Sequence, residues 1–494
     1  MSRVEQGGTN SSDYYKIFGK SQLTLAQDSK LGLRLGNLVV SSIGQADDTV
    51  LLSNDIVNLF YLLALTFTFC EMYKVNLSAE KTKLQAFSSK NSSLEVDCAQ
   101  ATNPIKINGQ QIPFSSVAEH VGILRSISGN GPTIMARFSA HRRALAGILH
   151  EGLAKGHRGN PSLGIRLEKL YALPVLMSGL ASLVFTEKEL KSIETYYCET
   201  LRKLLRLHLK TPRTVIYFLA GSIPGTAFLH QRQLSLFGMI CRLKSNILHE
   251  HAQNIFSAAT ISKGSWFHQI RKWCLVYDLP HPSSLLASAL EKSAWKKLVK
   301  SRIISYWEGH LRSEAQSLKS LFFFKPEFMS LTCVHPLFYF AGHSPFNVAK
   351  ATIQALMLSG RYRCGSLTRH WDKTDGMCKL SPRCREELED ISHILKQCSA
   401  LNVMRLRLTT FTQDYSNSLP DKVRLFLLEC CNPEHPDYLT FLLDCSSLPR
   451  VILLTQEFGK MVLNHLFHIS RTWIFAIHRE RKNILSLNRT TASL

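Results

Sequence analysis

With 494 residues, of which 45% are apolar and 19% charged, the chain has ordinary values for a folded soluble protein and material for roughly two to four domains, which argues against a disordered tail. Its 59 lysines and arginines outweigh 37 acidic residues, and the net charge of +22 favours a polyanionic partner, nucleic acid before an anionic membrane surface, over an incidentally basic surface. The 13 cysteines are irregularly spaced and follow no secretory signal, so they read as intracellular thiols and not as a disulfide framework.

In chain order, residues 1–30 begin rich in Ser, Gly and Asn and are expected to form a disordered N-terminus. Over residues 31–53 the apolar runs Leu38-Val39-Val40 and Val50-Leu51-Leu52 flank a polar centre, which predicts two strands joined by a tight turn. Residues 56–70 are nearly all apolar. At about 15 residues, interrupted by Asn58, they fall short of a membrane span and predict a buried helix; no membrane partner is expected. Residues 76–80 break into a further strand over 84–87, and residues 88–118 read as loops and short strands with turns at Asn103-Pro104 and Asn108-Gly109. After Gly131-Pro132 the spacing is helical over 136–156, 162–185 and 188–210, and stays so over 260–350. Residues 361–400 are Cys- and charge-rich and read as a small irregular module, and residues 406–494 return to helix. The class is α+β, with the helices dominating after residue 131.

Three groups of side chains carry chemistry. Asp47-Asp48 sits where one apolar strand turns into another, so adjacent carboxylates meet at a sheet rim. Such a pair either marks a solvated turn or shares divalent cations, Mg²⁺ above all, in nucleotidyl transfer. Cys378, Cys384, His393 and Cys398 supply three thiolates and an imidazole, a tetrahedral Zn²⁺ set; the gap from Cys378 to Cys384 is long, so Cys364 competes for the first ligand place. Finally, Arg137, His141, Arg142, Arg143, Lys155, His157 and Arg158 form one basic cluster, and Arg202, Lys203, Arg206, His208, Lys210 and Arg213 form another. No Asp lies between Asp97 and Asp278, so these helices are suited to binding phosphate backbone without reading sequence.

The segment GLRLGNLVVSSIGQADDTVLLS resembles the part of reverse transcriptases that carries the A-D-D motif of the palm hairpin. KVNLSAEKTKL resembles the motif that follows it, AEHVGIL resembles the short primer-grip strand, and CKLSPRCREELEDISHILKQC resembles the C-terminal zinc knuckle of non-LTR (LINE-type) retrotransposon enzymes. The resemblance implies an RNA-directed DNA polymerase working on an RNA template, a DNA primer and dNTPs, inside the cell with access to the nucleus. It assigns Mg²⁺ to Asp47 and Asp48, and to Lys81 the neutralisation of the departing pyrophosphate. Gln45 departs from the aromatic residue frequent before A-D-D. It divides the chain into a truncated palm (31–125), a helical thumb (126–260), a helical connector (261–360), a zinc knuckle (361–405) and a C-terminal helical region (406–494). Neither the F-x-D strand bearing the third carboxylate nor the P-Q-G-S-type template loop occurs in the sequence, and Asp13 and Asp28 sit in polar surroundings unlike that strand. The expectation is an incomplete two-metal site that does not polymerise DNA unaided; the alternative is a relic that keeps only nucleic-acid binding through the basic thumb and zinc knuckle.

Overall fold

The computed structural model describes residues 11–45, 48–87, 105–107, 109–120, 122–150, 159–244, 246–258, 260–342 and 344–492. Near the start, β-branched and apolar residues in short runs fold as two hairpins. Strand β1 (Leu33–Leu35) pairs antiparallel with β2 (Leu38–Val40), and β3 (Ser42–Gln45) with β4 (Asp48–Leu51). The strand opposite Val50 and Leu51 is therefore not the apolar run Leu38-Val39-Val40. The sequence pattern missed a two-residue loop after Leu35, whose Gly36 adopts φ +63, a conformation that glycine reaches without steric cost.

Residues 11–28, expected to be disordered, form a helix, Ser11–Asp28. Tertiary contacts override the weak local composition. The Gln27 side chain donates to the Val39 carbonyl and accepts the Ser41 N–H, and the Ser42 hydroxyl donates to the Leu23 carbonyl.

The apolar run folds as the helix Ile56–Met72, capped by the Asp55 carboxylate, which accepts the Asn58 N–H at 2.7 Å. One face, including Leu59, Leu63 and Phe67, packs on Leu84, Ile105, Ile107 and Ile112. The opposite face leaves Val57, Tyr61 and Met72 more than half exposed, so the helix is half-buried and not buried throughout. Among the described residues, no single helix is long and apolar enough to cross a membrane.

The strand expected over 84–87 reduces to one bridge, Leu84 to Phe114, because Leu84 serves as a core residue under the helix and continues no ladder. Asn103, Pro104 and Asn108 lie outside the described residues. Two further hairpins follow, β5 (Lys106–Ile107) with β6 (Gln110–Gln111) and β7 (Val117–His120) with β8 (Ile123–Ser126). The remaining elements are helices, from Gly131–His150 to the 32-residue Met461–Ala492. Among the described residues, the molecule is mostly helical with four two-stranded antiparallel sheets.

The chain divides into two compact units. The first collects Met1–Ala140, Met177–Glu189 and Leu229–Val299; the second collects His141–Leu176, Leu190–Phe228 and Lys300–Leu494. In the first, His230 stacks on Trp273 at 3.6 Å between ring centroids, and the Trp295 indole donates to the Leu234 carbonyl at 2.9 Å. In the second, the C-terminal helix Met461–Ala492 runs through the core, where the Trp473 indole donates to Thr412 and Gln354 donates to the Leu442 carbonyl.

Candidate metal centre and basic helices

The Cys-rich module is built from turns that local sequence dictates. Cys378 lies on an extended segment, where its N–H donates to the Glu387 carbonyl at 2.9 Å and the Glu389 N–H donates to Gly376 at 3.0 Å. Ser381 and Pro382 start a short 3₁₀ turn, Pro382–Cys384, and Ser381 caps it. His393 opens a π-turn, His393–Gln397, with its N–H held by the Asp390 carboxylate at 2.7 Å. That wider turn closes with the Cys398 N–H donating to the His393 carbonyl at 2.8 Å, which brings two ligands five residues apart to one end.

The four donor atoms of Cys378, Cys384, His393 and Cys398 lie within 4.8 Å of one another, and all four residues are buried. The Cys378 and Cys398 sulfurs are 3.8 Å apart. A Zn–S bond of ~2.3 Å sets the edge of a tetrahedron at about the same length. Soft thiolates with one imidazole suit Zn²⁺ and not Mg²⁺. The hydrogen bond from Cys398 lowers the Cys378 thiol below its usual range and raises that of Cys398 itself. Ser399 supports the third sulfur, its N–H donating to Cys384 Sγ at 3.5 Å. Cys364 stands outside the cluster; it precedes the helix Gly365–Asp372, and its sulfur lies 3.2 Å from the Ser366 hydroxyl.

Residues around the ligands were not singled out by the sequence. A Glu387 carboxylate oxygen lies 2.7 Å from His393 Nδ1, out of line for a hydrogen bond, and Nε2 is buried with no hydrogen-bond partner among the described residues. Glu389 accepts two hydrogen bonds from Arg481, each 2.9 Å, and a third from the Gly365 N–H at 2.8 Å, which docks the module on the C-terminal helix. The run Glu386-Glu387-Leu388-Glu389-Asp390 gave no hint of this division of labour, because a charge run reads first as a solvated face.

At the other candidate centre, Asp48 begins β4 opposite Gln45 and is exposed, while Asp47 lies outside the described residues. Lys81 is exposed in a turn, its N–H 3.4 Å from the Ser78 hydroxyl.

The basic positions separate into two kinds. Arg137 donates to the Gly122 carbonyl, Arg202 to Leu209 at 2.9 Å and Arg206 to Gly159 at 3.1 Å, while Arg213 pairs with Glu314 at 2.9 Å. His141 is wholly buried, with Nδ1 2.9 Å from the Tyr196 hydroxyl and Nε2 3.5 Å from Glu168. These side chains hold the fold. Arg142, Arg143, Lys203, His208 and Lys210 are exposed. Lys155, His157 and Arg158 lie outside the described residues.

Models of known protein families do not match the chain, and no curated protein matches it.

Proposed function

We propose that the chain derives from the reverse transcriptase of a non-LTR retrotransposon, and that the activity carried by these residues is binding of nucleic-acid backbone, with one Zn²⁺ organising the module over residues 361–405. The observation that carries the reading is the convergence of Cys378, Cys384, His393 and Cys398, because the stretch that resembles the family's zinc knuckle is the one whose four donors come together buried. The charge of +22 and the exposed Arg142, Arg143, Lys203 and Lys210 supply the attraction for phosphates. In this reading the exposed Asp48, with Asp47, marks the ancestral Mg²⁺ position beside primer, template and dNTP, and Lys81 the side chain facing pyrophosphate. Without the strand bearing the third carboxylate, the chain binds and does not polymerise.

Fluorescence anisotropy with a labelled primer–template duplex tests this directly. Sequence-independent binding that weakens steeply between 50 and 200 mM salt is expected, as counterion release requires. Metal analysis of the purified chain is expected to find one zinc per molecule, and primer extension to give no template-dependent incorporation. Binding that is insensitive to salt, or a zinc-free chain, would count against the reading; incorporation of dNTPs would restore the polymerase.

A further inference from the structure

The helix Asn402–Ser416 follows Cys398 after a single 3₁₀ turn, Ser399–Leu401, and Arg405 stands near its start. That is a poor place for a cation. The N-terminal end of a helix carries a partial positive charge and favours acids, and Arg405 is only 5% exposed. A buried guanidinium is costly unless an anion balances it. Among the described residues, no carboxylate pairs with Arg405. Its donors instead reach the carbonyls of Cys398 at 2.5 Å and of Ile394 and Leu395, both at 3.5 Å, with the Asn402 side chain as a further acceptor. Those carbonyls belong to the His393–Gln397 π-turn and to the ligand that closes it. Tyr438 reinforces the same turn through its hydroxyl, which donates to the Leu395 carbonyl at 3.0 Å.

The missing negative charge is found in the metal site. Three thiolates and one neutral imidazole around Zn²⁺ sum to one net negative charge. We propose that Arg405 is the counter-cation and positioning residue of the site formed by Cys378, Cys384, His393 and Cys398, an inference that rests on the zinc reading above. The guanidinium holds the backbone that presents His393 and Cys398, and its charge brings the buried assembly to neutrality. Neither role needs contact with the metal, so Arg405 is not a ligand.

Zinc affinity of the full chain, measured by competition with a chromophoric chelator, tests the proposal alongside thermal melts of the zinc-loaded and metal-free protein. Arg405→Met keeps the length and apolar character of the side chain while removing the charge and the donors; Arg405→Lys keeps the charge. Arg405→Met is expected to weaken zinc binding about tenfold or more, the range seen when outer partners of metal ligands are removed. Arg405→Lys is expected to recover part of that loss. Metal-free Arg405→Met is expected to be no less stable than the metal-free parent, since it no longer buries an unbalanced cation; a residue serving only as structural filler would lower both states equally. Unchanged zinc affinity in Arg405→Met, or equal losses in the Met and Lys variants, would overturn the proposal. If Arg405→Met does not fold, Arg405→Gln against Arg405→Lys decides in the same way, neutral donor against charge. A parent chain that binds no zinc is a separate outcome, and it removes the site and its counter-cation together.

Discussion

The hairpin around Asp48 and the module around Cys378 were both singled out by side chains suited to metals, yet the fold treats them differently. At the hairpin, the described carboxylate sits exposed at the end of a four-residue strand whose ladder is a single partner strand. In the module, four ligands are buried, and Asp390, Glu389 with Arg481, Ser399 and Arg405 fix the turns that carry them. The difference teaches that a metal site made of thiolates is part of a core and must be built into it. Asp48, the described carboxylate of the hairpin, is exposed, and among the described residues nothing in the core is built around it.

The largest test of that contrast is removal of the metal. Zinc binding in small modules carries on the order of 10 kcal/mol of folding free energy. Chelation, or Cys398→Ser, is expected to abolish hydrogen-exchange protection over residues 376–405 while leaving the helix Ile56–Met72 protected. Equal loss in both places would erase the distinction between the two regions. Next in size is the buried pair that docks the module. Glu389→Ala leaves Arg481 without its carboxylate and is expected to cost about 3–5 kcal/mol in urea denaturation. A loss below ~1 kcal/mol would mean that the module is held mainly by its metal.

Acid tests the first unit by another route. His230 in the first unit has its pKa pushed down to about 3 by burial, with Lys272 adding to the effect. Its folded value lies below the unfolded one, so the unfolded chain takes up the proton first. Stability from this group is full above pH ~6.5 and is lost as pH falls toward 3, at about 1.4 kcal/mol per unit and on the order of 5 kcal/mol in all. His230→Gln is expected to flatten that slope for the first unit, read by tryptophan fluorescence of Trp273 and Trp295; an unchanged slope would place the acid sensitivity elsewhere. The smallest effect belongs to the hairpin. Asp48→Asn is expected to shift stability by less than ~0.5 kcal/mol, as for exposed positions free of special geometry, and a larger loss would show that the carboxylate has structural work.

Much of this molecule was legible in its residues. Apolar spacing announced the helices after residue 131, and the four residues of the buried Cys/His cluster, which could hold a metal, were named from residue type and spacing, because thiolate and imidazole in that density suit Zn²⁺. Hairpin character was visible over residues 31–53, but its register was not. A short strand pairs according to where its turn falls, and the turn depended on Gly36. The basic clusters were legible as charge and illegible as function. Arg137, Arg202, Arg206 and Arg213 spend donors on carbonyls or a carboxylate of this same chain, whereas Arg143 and Lys203 are exposed, and no linear pattern distinguishes the two kinds.

What the amino acids determined by themselves was local and compositional: a basic chain, helical periodicity, and a thiol-rich stretch able to chelate. Tertiary structure alone decided that a polar N-terminal stretch becomes a helix on a hairpin, that Cys364 stands apart from the site, and that Arg405 is buried with no carboxylate paired to it among the described residues. The physical reason is common to all three. Each depends on which distant groups come within hydrogen-bonding or Coulombic range, and those distances are set by packing, not by order along the chain.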